Sequence, residues 1–148
     1  MSSSIVTLMT AIQTVQASVP TPTGRKALVI PADIQPPPSL TPPMFVNELS
    51  YLHLPEGDFS GRTFGNKKRH NEWIILMHLC FAPFDPKYEI REQWDWTDPI
   101  LDTFDNNATL SAVCDSSKIL DVDFKPFDYG PQRWICSTFP LHITVVGP

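Results

Sequence analysis

No run of apolar residues in this chain approaches the ~20 needed to cross a bilayer as a helix. The polar opening "MSSSIVTLMT" lacks the basic region of a signal peptide. Both point to a protein made and used in a reducing cytoplasm, with no membrane partner. Cysteine is scarce: Cys80, Cys114 and Cys136 show neither CxxC nor Cys/His spacing, and two of them lie inside apolar runs. That pattern reads as small, buried, reduced thiols rather than a metal or disulfide framework. Asn107-Ala108-Thr109 matches a glycosylation acceptor, but without a secretion signal the match reads as chance.

Charge is thin as well. Asp, Glu, Lys and Arg make up 18% of the chain, below the usual quarter, so much of the surface is neutral or is covered by something else. A net charge of −5 argues against a globally basic nucleic-acid face and leaves room only for local phosphate contact. Signatures of chemistry are missing too: there is no GxSxG, no phosphate-cradling glycine loop opening a helix, and no HExxH. The four histidines, His53, His70, His78 and His142, are far apart; His78 and His142 fall in strand-like runs, where a satisfied structural imidazole is the simpler reading. No catalytic residue, cofactor or metal is expected.

What is present supports a core. At 148 residues, 42% of them hydrophobic and with nine Phe and four Trp, residues 1–148 form a single domain that buries roughly two thirds of its unfolded surface. Ile5, Leu8, Met9, Ile12, Val15 and Val19 recur at helical spacing, with Ser3 or Ser4 available as a cap, and Pro20 and Pro22 end the helix. Residues 20–43 then hold eight of the sixteen prolines around one apolar island, Ala27 to Ile30, that suits a short edge strand. "PPPSLTPP" prefers extended polyproline geometry. It reads as an extended connector within the domain, or as a docking motif for a proline-recognition module, though it has no flanking basic residue.

"MFVNELSYLHL" carries the next strand, and "EWIILMHLCF" another, with Trp73, Ile75, Met77, Leu79 and Phe81 on one face and Glu72, Ile74, Leu76, His78 and Cys80 on the other. Both faces are largely apolar, which predicts a central strand covered on both sides. The glycine-bearing run between them predicts a long basic β-hairpin joining residues 44–54 to 72–82. Arg62, Lys67, Lys68, Arg69 and His70 gather near its tip, with no acid between Asp58 and Glu72. They form either a solvated loop or one offered to phosphate or an acidic partner, as an assembly or lumen loop would be.

The C-terminal third alternates again: "KILDVDF" with Leu120, Val122 and Phe124 inward, Trp134 to Cys136 as a short strand, and "FPLHITVV" with Phe139, Leu141, Ile143 and Val145 inward. "KPFDYGPQ" supplies a turn. In "WTDPILDTFDNN", Asp98 precedes Pro99, a residue favoured at the first helical position, which predicts a second helix near residues 98–106. Asp98 is its N-cap, Ile100, Leu101 and Phe104 its buried stripe, Asp102 and Asp105 its wet side, and Asn106 or Asn107 its end. Trp94 or Trp96 packs back on the first turn. Seven acids between Asp85 and Asp105 are spread along this stretch with no apolar pocket beside any pair; a solvated or partner-facing acidic surface fits better than paired-carboxylate chemistry. The sum is an α+β domain with a mainly antiparallel sheet, an N-terminal helix and a second helix near residues 98–106.

The order of these features, an amphipathic helix, "PPPSLTPPMFV", a basic hairpin leading into "EWIILMHLCFAP", then "WTDPILDTFDNNATL" and "FKPFDYG" before a strand pair, resembles the tail-terminator (tail-completion) proteins of long-tailed bacteriophages and, more loosely, neighbouring neck proteins. The resemblance implies an α+β subunit of a hexameric ring that caps the tail tube and joins it to the head-completion proteins. It also implies a place in the virion tail or neck and passing contact with DNA in the channel. Low surface charge and apolar strand edges agree with a subunit covered by its neighbours. Two rivals are a neck or adaptor protein binding through the proline-rich segment, and a small enzyme with an acidic site around Trp94 to Asp105, which would need a ligand-sized pocket there.

Overall fold

The computed structural model describes residues 5–22, 27–30, 43–53, 69–83, 91–130 and 132–147. They form an α+β unit: α1 (Ile5–Ala17), β1 (Leu28–Ile30), β2 (Met44–His53), β3 (Arg69–Pro83), α2 (Arg91–Asp105), β4 (Ser116–Ile119), β5 (Phe127–Tyr129) and β6 (Gln132–Gly147). The strands make one sheet in the order β1-β2-β3-β6-β4, with β5 also paired to β6. Every pairing is antiparallel except β1 with β2. No helix among the described residues is long and apolar enough to cross a membrane.

One face of the sheet carries the main core. Phe45 on β2, Ile75, Met77, Leu79 and Phe81 on β3, and Phe139, Leu141, Ile143 and Val145 on β6 are buried there, alternating as their strands require. Both helices cover this face. Leu8, Ile12 and Val15 of α1 and Trp96, Ile100 and Phe104 of α2 join the same cluster, and Phe45 meets the Trp96 ring edge-on at 6.4 Å. One polar pair is buried with them: Gln16 Nε2 donates to Asn47 Oδ1 at 2.6 Å, and Asn47 Nδ2 donates back to Gln16 Oε1 at 2.9 Å. Each amide nitrogen and oxygen thus has a partner on the other residue, which favours one register of α1 on β2.

The central position of β3 between β2 and β6 is as expected, but its second face is covered only in part among the described residues. On the second face His78 and Cys80 are buried, whereas Glu72, Ile74 and Leu76 are only half-buried. The segment after β4 curls over one end of this face. There Phe127 and Tyr129 pack against a small cluster of Ile30, Met44, Val46, Cys80, Trp134 and Cys136.

Several local expectations are corrected. Helix α2 begins at Arg91, not at Asp98, and contains Pro99 in its interior. Asp98 is therefore an exposed mid-helix residue and not an N-cap. The reason lies upstream: Gln93, Trp96, Ile100 and Phe104 are all buried, a continuous stripe at helical spacing whose packing outweighs the local start signal of Asp-Pro. Trp96 is buried inside the helix and Trp94 is exposed, so neither is a staple ahead of it.

"KILDVDF" is not one alternating strand. After Ile119 the chain leaves the ladder, and within this run it pairs with β6 again at Asp123, which exchanges both backbone hydrogen bonds with Thr138. Leu120 and Phe124, expected inward, are exposed, and Val122 is half-buried. By contrast Trp134–Cys136 and the 139–145 run form one strand, β6, which passes straight through Pro140. Thr138 points its N–H and C=O at Asp123; backbone directions alternate, so the nitrogen of Pro140 faces the stretch between Ile119 and Asp123 that makes no ladder pair. The missing N–H of proline costs nothing there.

The proline-rich stretch is outside the described residues from 31 to 42, and so are Arg62, Lys67 and Lys68 of the basic run. Arg69 is the first residue of β3, opposite Gly147.

Candidate functional site

The polar cluster on the second face was not among the expected site residues. It forms where β2, β3, β6 and β5 meet. Strand alternation puts Glu48, His78 and Thr138 on this face, and the register sets His78 directly opposite both Val46 and Thr138. His78 Nε2 lies 2.9 Å from Glu48 Oε2, and Nδ1 lies 2.8 Å from Thr138 Oγ1. A carboxylate only accepts, so Nε2 carries the proton and donates; Nδ1 then accepts from the Thr138 hydroxyl. The Phe127 ring of β5 stacks on the imidazole at 3.8 Å with 9° between the planes.

Burial pulls the His78 pKa below its ordinary value of 6.5, and the hydrogen bond and charge of Glu48 oppose that pull without overcoming it. The imidazole is neutral at physiological pH. Hydroxyl, imidazole and carboxylate stand in the order of a nucleophile-activating relay, yet His78 is buried and one ring face is covered by Phe127. The arrangement fixes one tautomer and ties four strands together.

Beside it Cys80 and Cys136 are cross-strand partners. Cys136 Sγ donates to Cys80 Sγ at 2.7 Å, and both residues are buried. The hydrogen bond to Cys80, aided by burial, drives the Cys136 thiol far above its ordinary value. Gln93 of α2 reaches the same place, donating from Nε2 to the Cys136 carbonyl at 2.8 Å. Cys114 is separate, with its pKa raised to about 11 by burial and by Asp115.

At the opposite end of the sheet a groove of about 480 Å³ is lined by Tyr51, Glu72, Trp73, Ile74, His142, Ile143 and Thr144. None of these lies between Trp94 and Asp105. In that segment Asp95, Asp98, Asp102 and Asp105 are all exposed along α2, while Ile100 and Phe104 are buried and Leu101 and Pro99 half-buried. The acidic helix thus presents a ridge, together with Trp94 at 60% exposure, rather than a pocket. No group of three or more His, Cys, Asp or Glu among the described residues is disposed to hold a metal ion.

The sheet edges complete the candidate surface. Strand β1 pairs with only Met44, Phe45 and Val46 of the ten residues of β2. Farther along β2, Leu49, Tyr51 and Leu52 are 49%, 53% and 41% exposed. No family model and no curated protein matches this sequence.

Proposed function

We propose that this chain is a structural subunit of a closed ring, acting as a tail terminator of a long-tailed phage: it caps the tail tube and joins it to the head-completion or neck proteins. The supporting observation is the distal part of β2, where three large apolar side chains are exposed beyond the reach of β1. An apolar strand edge of this kind is a liability in a free monomer and an asset in an oligomer. The most economical cover is a second copy, and a repeated head-to-tail contact closes when its rotation allows. Six copies is the number the resemblance implies.

In this reading the acidic ridge of α2 meets the basic run containing Arg62, Lys67, Lys68 and Arg69 across the subunit contact, or the basic run faces DNA in the channel. The protein works by shape and contact, as a virion component and not as an enzyme. The test is native mass measurement by light scattering, with and without tail tubes of the same virion, followed by particle imaging. A ring that binds tube ends rather than their sides, burying more than ~1,000 Å² per contact, is expected. A chain that stays monomeric at high concentration and also in the presence of tubes would overturn the ring and favour the adaptor reading.

A further inference from the structure

Cys80 and Cys136 face each other across the two longest strands of the sheet, and their placement is not incidental to the ladder. The Thr138 N–H and C=O point away from β3, toward Asp123; two residues earlier in the same strand, the Cys136 carbonyl accepts from Gln93. Backbone direction alternates along a strand, so Cys80–Cys136 is a non-hydrogen-bonded pair of the antiparallel ladder, the type whose Cα atoms lie closest, at about 4.5 Å. That spacing is inside the range a disulfide spans, and sulfurs 2.7 Å apart need only a small side-chain rotation to reach the ~2.05 Å of a bond.

We propose that Cys80 and Cys136 are a covalent modification site: a dithiol that a small disulfide oxidant such as oxidised glutathione converts to a cross-strand disulfide, with β5 as its cover. One cysteine thiolate attacks a sulfur of the oxidant, breaking the oxidant's S–S bond and releasing one glutathione thiolate. The second cysteine thiolate then attacks the protein sulfur of the mixed disulfide, forms the Cys80–Cys136 bond and releases the second glutathione thiolate. The protein loses two protons and two electrons, and the oxidant takes up both as two thiols.

The cover follows from the packing. Tyr129 and Phe127 close over the two sulfurs' cluster, and the strand that carries them is only three residues long, paired to β6 at Phe127, Asp128 and Tyr129. It is also held by the Phe127 ring on His78, the Trp134 Nε1 donation to the Tyr129 carbonyl at 3.1 Å, and the exposed Arg133–Asp128 ion pair at 3.1 Å. Short edge elements with few buried contacts open at a fraction of the global unfolding cost. While β5 is closed the sulfurs are inaccessible and the thiol proton is firmly held; when it lifts, both sulfurs are reachable at once, and the second attack is intramolecular. The closed bond joins strands 56 residues apart in sequence, which restricts the unfolded chain and raises the folded chain's thermal midpoint.

The test uses the full chain, reduced and then incubated with excess oxidised glutathione at mildly alkaline pH. Samples are quenched with an alkylating reagent in denaturant and read by intact mass and peptide mapping, alongside Cys114→Ser, Cys136→Ser and Phe127→Ala. The expected product has lost two hydrogens, links the peptides of Cys80 and Cys136, is unchanged by Cys114→Ser and melts higher than the dithiol. Phe127→Ala should form it several-fold faster, and Cys136→Ser should give no intramolecular link. A stable glutathione adduct on either cysteine, or no link even in Phe127→Ala, would overturn the site; equal rates in the parent and Phe127→Ala would overturn β5 as its cover.

Discussion

His78 shows how one side chain becomes a pH-dependent contribution to stability. The folded chain keeps the imidazole neutral between Glu48, Thr138 and Phe127, and burial sets its pKa below 6.5. As pH falls below 6.5 the unfolded chain takes up a proton that the folded chain refuses. Stability is therefore full above 6.5 and is lost progressively as pH falls toward the lowered folded value. Each tenfold weakening of proton affinity corresponds to about 1.4 kcal/mol. Glu48 is the titratable partner, and because its side chain is 53% exposed its attraction is screened and does not reverse the sign. Urea midpoints measured from neutral pH downward should fall more steeply for the parent chain than for His78→Gln. Parallel slopes would mean that His78 does not titrate as a buried neutral group.

At the scale of elements, α2 separates what the sequence states locally from what packing decides. Since Asp98 is exposed in mid-helix, Asp98→Ala should change stability by no more than about 0.5 kcal/mol, with any gain coming from the better helix propensity of alanine. Phe104→Ala removes a ring that is 2% exposed and should cost about 3–5 kcal/mol. Denaturant unfolding of both variants checks this; a loss near 1 kcal/mol for Asp98→Ala would restore a capping role. The strands were legible wherever one face was buried over many residues: the inward set of β6 and the apolar face of β3 follow from alternation alone. Alternation failed at Leu120 and Phe124 because the chain there leaves its ladder, and parity has no meaning once pairing stops. The Gln16–Asn47 pair, the His78 cluster and the Cys80–Cys136 contact depend on which residues of distant segments are brought into register, which no local pattern encodes. For α2 a signal was available: Trp96 stands four residues before Ile100, extending the apolar stripe upstream of Asp98.

For the whole molecule the decisive asymmetry is between the two faces and the two edges of the sheet. Two helices cover the main core on one face, while among the described residues β5 covers one end of the other, and β1 pairs with the start of β2. The exposed apolar residues on β2, Leu49, Tyr51 and Leu52, lie beyond its pairing with β1, and a register shift between Leu49 and Tyr51 reshapes the strand at the same place. If that edge is the ring contact, placing lysines on it should dismantle the ring, because charge on an edge strand is the ordinary means by which monomers prevent pairing. Leu49→Lys with Leu52→Lys replaces side chains that are already 49% and 41% exposed, so the cost to the fold should stay within about 1 kcal/mol. The expected result is a folded monomer by light scattering, with an unfolding transition close to that of the parent chain and no binding to tube ends. A variant that still forms the parent's oligomer would place the contact elsewhere on the surface, with the acidic ridge of α2 as the next edge-independent surface to alter.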